Sequence, residues 1–281
     1  MLHEKLAEKL KNRLGKVYIA PSMKNYALPM AENTAQGGLG VLAKGSKLPI
    51  AEGKKVRAFV YWEKIDDIDL SVFALKEDGT QKEFSWRTMS GQQSKALTFS
   101  GDETSGYYGG SEYFDVNIPK VKELYPDYRY MIFCANVYSG VNFDECFCKA
   151  GFMLRDQEDS GQVYEPKTVR SAYLVNCANT FAYLFGIDLH TNELVWLNEA
   201  RNSRLRIAGD SSLSVLMDNF RITEIMNVQD FFAMMAEEIV EDPMEAEIVV
   251  TDHEVACADG AEIVREYDFE KMKACLLYTS P

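Results

Sequence analysis

Asp67-Ile68-Asp69-Leu70-Ser71-Val72-Phe73 and, further on, Gly101-Asp102-Glu103-Thr104-Ser105-Gly106-Tyr107-Tyr108-Gly109-Gly110-Ser111-Glu112 are the stretches on which the fold turns. Each couples an acidic segment to a strand pattern. After the second, Ser111 to Ile118 alternates, with Phe114, Val116 and Ile118 on one face and Tyr113, Asp115 and Asn117 on the other, the period of a half-buried strand. A Gly-rich acidic loop beside buried chain suits a hard cation, and it also suits a plain turn. Both readings stand on the residues alone.

Outward from these stretches the strand signals continue. Val56 to Trp62 is rich in β-branched and aromatic residues. Ile68 to Leu75 is followed by Glu77-Asp78-Gly79, where Asp-Gly suits the positive φ of a hairpin turn. Glu83 to Arg87 is a short strand candidate, and Tyr130 to Val137 is apolar enough for a central strand covered on both faces. Glu145 to Leu154, Tyr173 to Val175, Phe181 to Ile187 and Glu193 to Leu197 complete the set, with a turn at His190-Thr191-Asn192. Many short strands without helical crossovers predict a mainly β protein, an antiparallel β-sandwich.

The flanks read differently. Leu2, Leu6, Leu10 and Leu14 recur as one stripe of an amphipathic helix, with Gly15 as its C-cap and Val17 to Ala20 as a short strand. Gln36-Gly37-Gly38-Leu39-Gly40 lacks the Gly-Lys-Ser/Thr ending of a phosphate loop and reads as connecting structure. Leu213 to Phe220 and Val228 to Ile239 carry helical stripes, and Glu247 to Val250 is strand-like. The acidic remainder is expected to be partly helical. The division expected is an N-terminal helix and connector (residues 1–54), the sandwich (55–225) and an acidic α/β extension (226–281). Tyr-Thr-Ser-Pro reads as an abrupt end.

Composition narrows the function classes. The net charge of −13 argues against nucleic acid, whose phosphates require a basic surface. The charge is uneven: residues 1–58 hold 11 Lys+Arg against 4 Asp+Glu, and residues 226–281 hold 3 against 14. No apolar run reaches the roughly 18 residues of a membrane span, and no secretory signal opens the chain, so the cytoplasm is the expected compartment. Six cysteines form no Cys-x-x-Cys pair and three histidines are scattered, so neither zinc nor histidine chemistry is expected. Without a nucleophile–base pair, an enzyme is not expected either.

The first acidic stretch resembles the Asp-Leu-Asp-Ala-Ser-Ala-Phe signature of the TerD family of tellurium-resistance and bacterial stress proteins. The second resembles that family's Gly-Asp-Asn loop. Asn142-Phe143 with Ala150-Gly151-Phe152-Met153-Leu154, and the closing Val195-Trp196 hairpin, also look like family segments. Leu14 to Ile19, Lys44 to Pro49 and Gly161 to Val169 are similar to a long cytosolic TerD-containing subgroup. The resemblance implies a β-sandwich, calcium and a stress-response role rather than catalysis. By family position Asp67, Asp69, Asp102 and Glu112 are the metal carboxylates. Here Tyr108-Gly109-Gly110-Ser111 stands in place of a dense Gly-Asp run, and calcium affinity follows ligand charge, so calcium is expected to bind weakly or to be absent. No organic cofactor is implied. Two functions remain open: a weak calcium-binding module within a stress-response protein assembly, which would meet a membrane surface only through that complex, or a scaffold domain without metal.

Overall fold

The computed structural model describes residues 8, 10–28, 42–89, 91, 95–157, 159, 161, 169–201, 220 and 222–265. In chain order the strands are β1 (Leu14–Ile19), β2 (Lys47–Pro49), β3 (Lys55–Glu63), β4 (Ile68–Leu75), β5 (Gln81–Phe84), β6 (Leu97–Phe99), β7 (Gly110–Val116), β8 (Tyr130–Val137) and β9 (Phe147–Arg155). There follow β10 (Val169–Leu174), β11 (Phe181–Asp188), β12 (Glu193–Arg201), β13 (Ala236–Ile239), β14 (Ile248–Val250) and β15 (Glu262–Val264). Short helices accompany them, among the described residues α1 (Ile118–Leu124), α2 (Ile222–Ile225) and α3 (Val228–Met235). Among the described residues no helix is long and apolar enough to cross a membrane.

The chain divides into two compact units. The larger is the expected β-sandwich. One sheet has the order β10-β9-β3-β7-β6 and is antiparallel throughout. The other has the order β2-β12-β11-β8-β4-β5 and is antiparallel from β12 to β5. Alternation along β3 supplies the reason: Val56, Ala58, Val60 and Trp62 are fully buried on one face. Aromatic contacts close the gap between sheets, with ring centroids 5.6 Å apart for Phe152 and Phe185 and 4.8 Å for Tyr173 and Trp196. Each such buried ring contributes roughly 1.5–3 kcal/mol.

The opposite face of β3 is also buried, and it carries charge. The Arg57 guanidinium donates to both oxygens of Asp115 on β7 at 2.6 Å, and both side chains are fully buried. Arg57 also lies 3.8 Å over the Tyr113 ring. Hence the Tyr113–Asp115–Asn117 face, polar in the sequence pattern, is interior at Asp115.

Three local expectations need correction. Leu14 and Gly15 lie in β1 rather than at a helix end, because β1 pairs in parallel with β13 and β14. The Glu247 carboxylate lies over Gly15, where a Cβ would sit 2.1 Å from its Oε2 and would displace that exposed side chain. The stripe from Val228 ends at Met235, and Ala236 to Ile239 join β1 as a strand. Ser111 to Ile118 stops at Val116, after which Asn117 accepts from the Lys120 amide and caps α1, with Pro119 in its first turn.

The smaller unit is a four-stranded sheet of order β13-β1-β14-β15, with parallel pairings. Strands from both ends of the chain therefore share one sheet. Its terminal acidic segment forms β15 at Glu262–Val264 rather than helix within the described residues. Residues 1–7, the glycines of residues 37–40, and residues 213–219 lie outside the described residues, and with them the body of two expected helices.

Candidate metal centre

Strand register brings three loops to one end of the sandwich. Trp62 pairs with Gly110, Ile68 with Val137, and Glu63 with Phe147, so residues 64–67, 101–109 and 138–146 meet there. At this end Asp67, Asp69 and Asp102 each present a carboxylate oxygen, all within 4.8 Å of one another. Asp102 is exposed, Asp67 half-buried and Asp69 buried. Three of the four expected carboxylates thus converge.

Glu112 is placed differently. It points from β7 into the space between the sheets, where β5 no longer covers the edge of β4. Its Oε2 accepts from the Leu70 amide at 2.8 Å and its Oε1 from the Glu103 amide at 3.2 Å. Both oxygens therefore pin backbone, tying the acidic loop to β4. Burial pushes its carboxyl up to about 8, aided by the charges of Asp69 and Asp102 and opposed by the two amides.

The cluster carries unbalanced polarity. Burial, and then the neighbouring Asp69 and Asp102, push Asp67 up to about 6. Asp67 Oδ1 is buried and has no hydrogen-bond donor. Asn136 on β8, paired in register with Asp69, donates its amide to Asp69 Oδ2 at 3.3 Å, while its own buried Oδ1 also has no donor. Buried acceptors are nearly always satisfied. The three carboxylates, Asp67 with its Oδ1 orphaned, and the orphaned Asn136 Oδ1 beside them form an oxygen-only donor set of the kind hard cations take. Asn136 was missed from the sequence; its one signal is a polar residue interrupting the apolar run of β8.

The glycines serve packing. A Cβ on Gly110 would sit 2.4 Å from Trp62 Cε2, and one on Gly106 would sit 2.4 Å from Trp62 Nε1. The loop is held by Gly106 N–H donating to the Asp66 carbonyl and by Lys64 N–H donating to the Tyr107 carbonyl, both at 2.8 Å. So the loop closes over the Trp62 indole, and bare backbone at residues 106 and 110 makes room for it. Gly110→Ala is expected to cost about 1–3 kcal/mol by overpacking, read as a lower urea midpoint. An unchanged midpoint would mean that Trp62 yields freely.

Among the remaining polar groups, Ser22 and Tyr26 donate to Asp252 at 2.6 and 2.9 Å, and His253 Nδ1 lies 2.8 Å from the same carboxylate. Ser22 is bound to the acid rather than to the imidazole, so no Ser–His–Asp relay is formed there. No family model, curated protein or solved structure matches this chain.

Proposed function

We propose that the chain is a non-enzymatic, TerD-like stress-response module that binds calcium weakly and works within a cytoplasmic protein assembly answering tellurium or other chemical stress. The observation that carries the metal half is the convergence of Asp67, Asp69 and Asp102 beside the orphaned oxygens of Asp67 and Asn136. The TerD-like half rests on the motif resemblance and the sandwich around it. With three carboxylates, the affinity expected is about 10⁻⁴–10⁻³ M, the weak end of the calcium range. At a hundredfold excess over that constant, calcium should stabilise the protein by about 2.7 kcal/mol. Thermal melting with and without calcium checks this, and Asp67→Asn should abolish the shift. A melting point unchanged at about 10–100 mM calcium, the hundredfold excess, removes the metal half.

A second reading is favoured by the Gly106–Trp62–Gly110 packing and by the Glu112 clamp. These set the loop by protein contacts alone, as a metal-free scaffold domain would need. On that reading, partners recovered from a source lysate are the same with chelator as with calcium.

A further inference from the structure

The exposed large apolar side chains of the sandwich, among the described residues, are all aromatic: Trp86 (50% exposed), Tyr107 (49%), Tyr108 (95%) and Tyr138 (59%). They gather at one end. Tyr107 and Tyr108 lie in the loop before β7, their rings meeting edge-on at 5.1 Å, and Tyr138 follows β8. Trp86 follows β5, which runs past Val72 towards the start of β4. Trp86 and Phe99 wall an open cavity of about 340 Å³ that has Asp102 at its rim. Asp66, Asp67 and Glu103 add negative charge beside it. Among the described residues Lys64 and Arg87 are bases near this end, and Arg87 is held by both oxygens of Glu83 at 2.7 and 2.8 Å.

We propose that this end of the sandwich docks an arginine-bearing segment of a basic partner protein, with one guanidinium seated between the Trp86 indole and the Asp102 carboxylate. Charge selects the partner. An anionic segment is repelled here, and an apolar one would strip water from carboxylates without compensating them. The aromatic walls then favour a planar cation that can stack and also pair with a carboxylate, which is arginine rather than lysine. The same arrangement already stands inside the fold, where Arg57 lies over Tyr113 and pairs with Asp115. The inference goes beyond the calcium reading; the guanidinium seat shares Asp102 with it, and Asp67 contributes only one of the surrounding charges.

The test is fluorescence anisotropy on the full chain, in chelator, with a short labelled peptide carrying two arginines. Trp86→Ala and Tyr108→Ala leave the net charge unchanged and are each expected to weaken binding about fivefold. The same peptide with citrulline in place of arginine should not bind. Asp67→Asn, which removes the metal reading, should leave peptide affinity within about twofold. A larger loss would locate the affinity in the carboxylate cluster instead of the cavity and overturn the assignment. Equal binding by the aromatic variants would show only an acidic protein attracting a cation, and equal binding of the citrulline peptide would show no charge recognition. Either result overturns the proposal, as does sedimentation showing a second copy seated on this face.

Discussion

Asp115→Ala is expected to destabilise the sandwich by about 3–5 kcal/mol, the cost of leaving a buried charge without its partner. Arg57 and Asp115 are both fully buried, and the guanidinium has two hydrogen bonds to this one carboxylate. Burial works to lower the Arg57 pKa, but the hydrogen bonds and charge of Asp115 outweigh it and hold the group above its ordinary range. Removing Asp115 leaves a cation that cannot give up its proton. It also strips the acceptor from the Asp159 amide, which donates to Asp115 Oδ2 at 2.7 Å. Asp159 in turn accepts from the Tyr113 hydroxyl at 2.5 Å, so the loss spreads over the outer face of β3 and β7. The paired change Arg57→Met with Asp115→Leu should recover most of the stability, because it removes both charges together. Urea midpoints for the single and double variants measure this. A single-variant cost below about 1 kcal/mol would show that Arg57 reaches water when unpaired.

That ion pair also marks the limit of what the residues declare on their own. The strands from β3 to β12, apart from β6, which no local pattern announces, are legible because one face of each meets the facing sheet, and burial writes a period of two into the chain. Asp115 fits that period as a polar outward residue. It is interior because Arg57, distant in sequence, arrives opposite it across the β3–β7 pairing. Pairing partners are long-range facts that a local pattern does not carry. The same holds for Leu14 and for Ala236 to Ile239, whose helical stripes yield to parallel pairing with each other. By contrast α1 was within reach: Asn117 before Ile118-Pro119 is a helix-start signal, masked by the alternation that precedes it. At the acidic end, the motif resemblance, rather than any spacing rule, singled out Asp67, Asp69 and Asp102. It could not separate a metal carboxylate from a backbone clamp, since Glu112 differs only in which amides face it.

Stability is expected to fall as pH rises from about 4.5 towards 8, and Glu112→Gln is expected to remove much of that slope. In the folded protein the carboxyl keeps its proton up to about 8, whereas in the unfolded chain it gives it up near its ordinary value of 4.5. Between those values the folded state holds more protons, so alkali favours unfolding. The stabilisation is complete below the unfolded value and lost as pH passes the folded one. For a fully buried carboxyl the loss across the window is on the order of 4 kcal/mol. Asp67, pushed up to about 6, adds a loss of the same sign in the lower part of the range. Glutamine carries no titrating proton but offers a single oxygen to the Leu70 and Glu103 amides. The variant should therefore start about 1–3 kcal/mol less stable in acid and change less on going to alkali. Calcium should act in the same direction as the substitution. An ion on Asp69 and Asp102 cancels the charges that help hold the Glu112 proton, lowering its pKa and flattening the wild-type slope. Denaturant midpoints of both proteins across this range, with calcium and with chelator, separate these effects. A variant whose slope matches the wild type would show that Glu112 is already ionised, with its two amide donors outweighing burial.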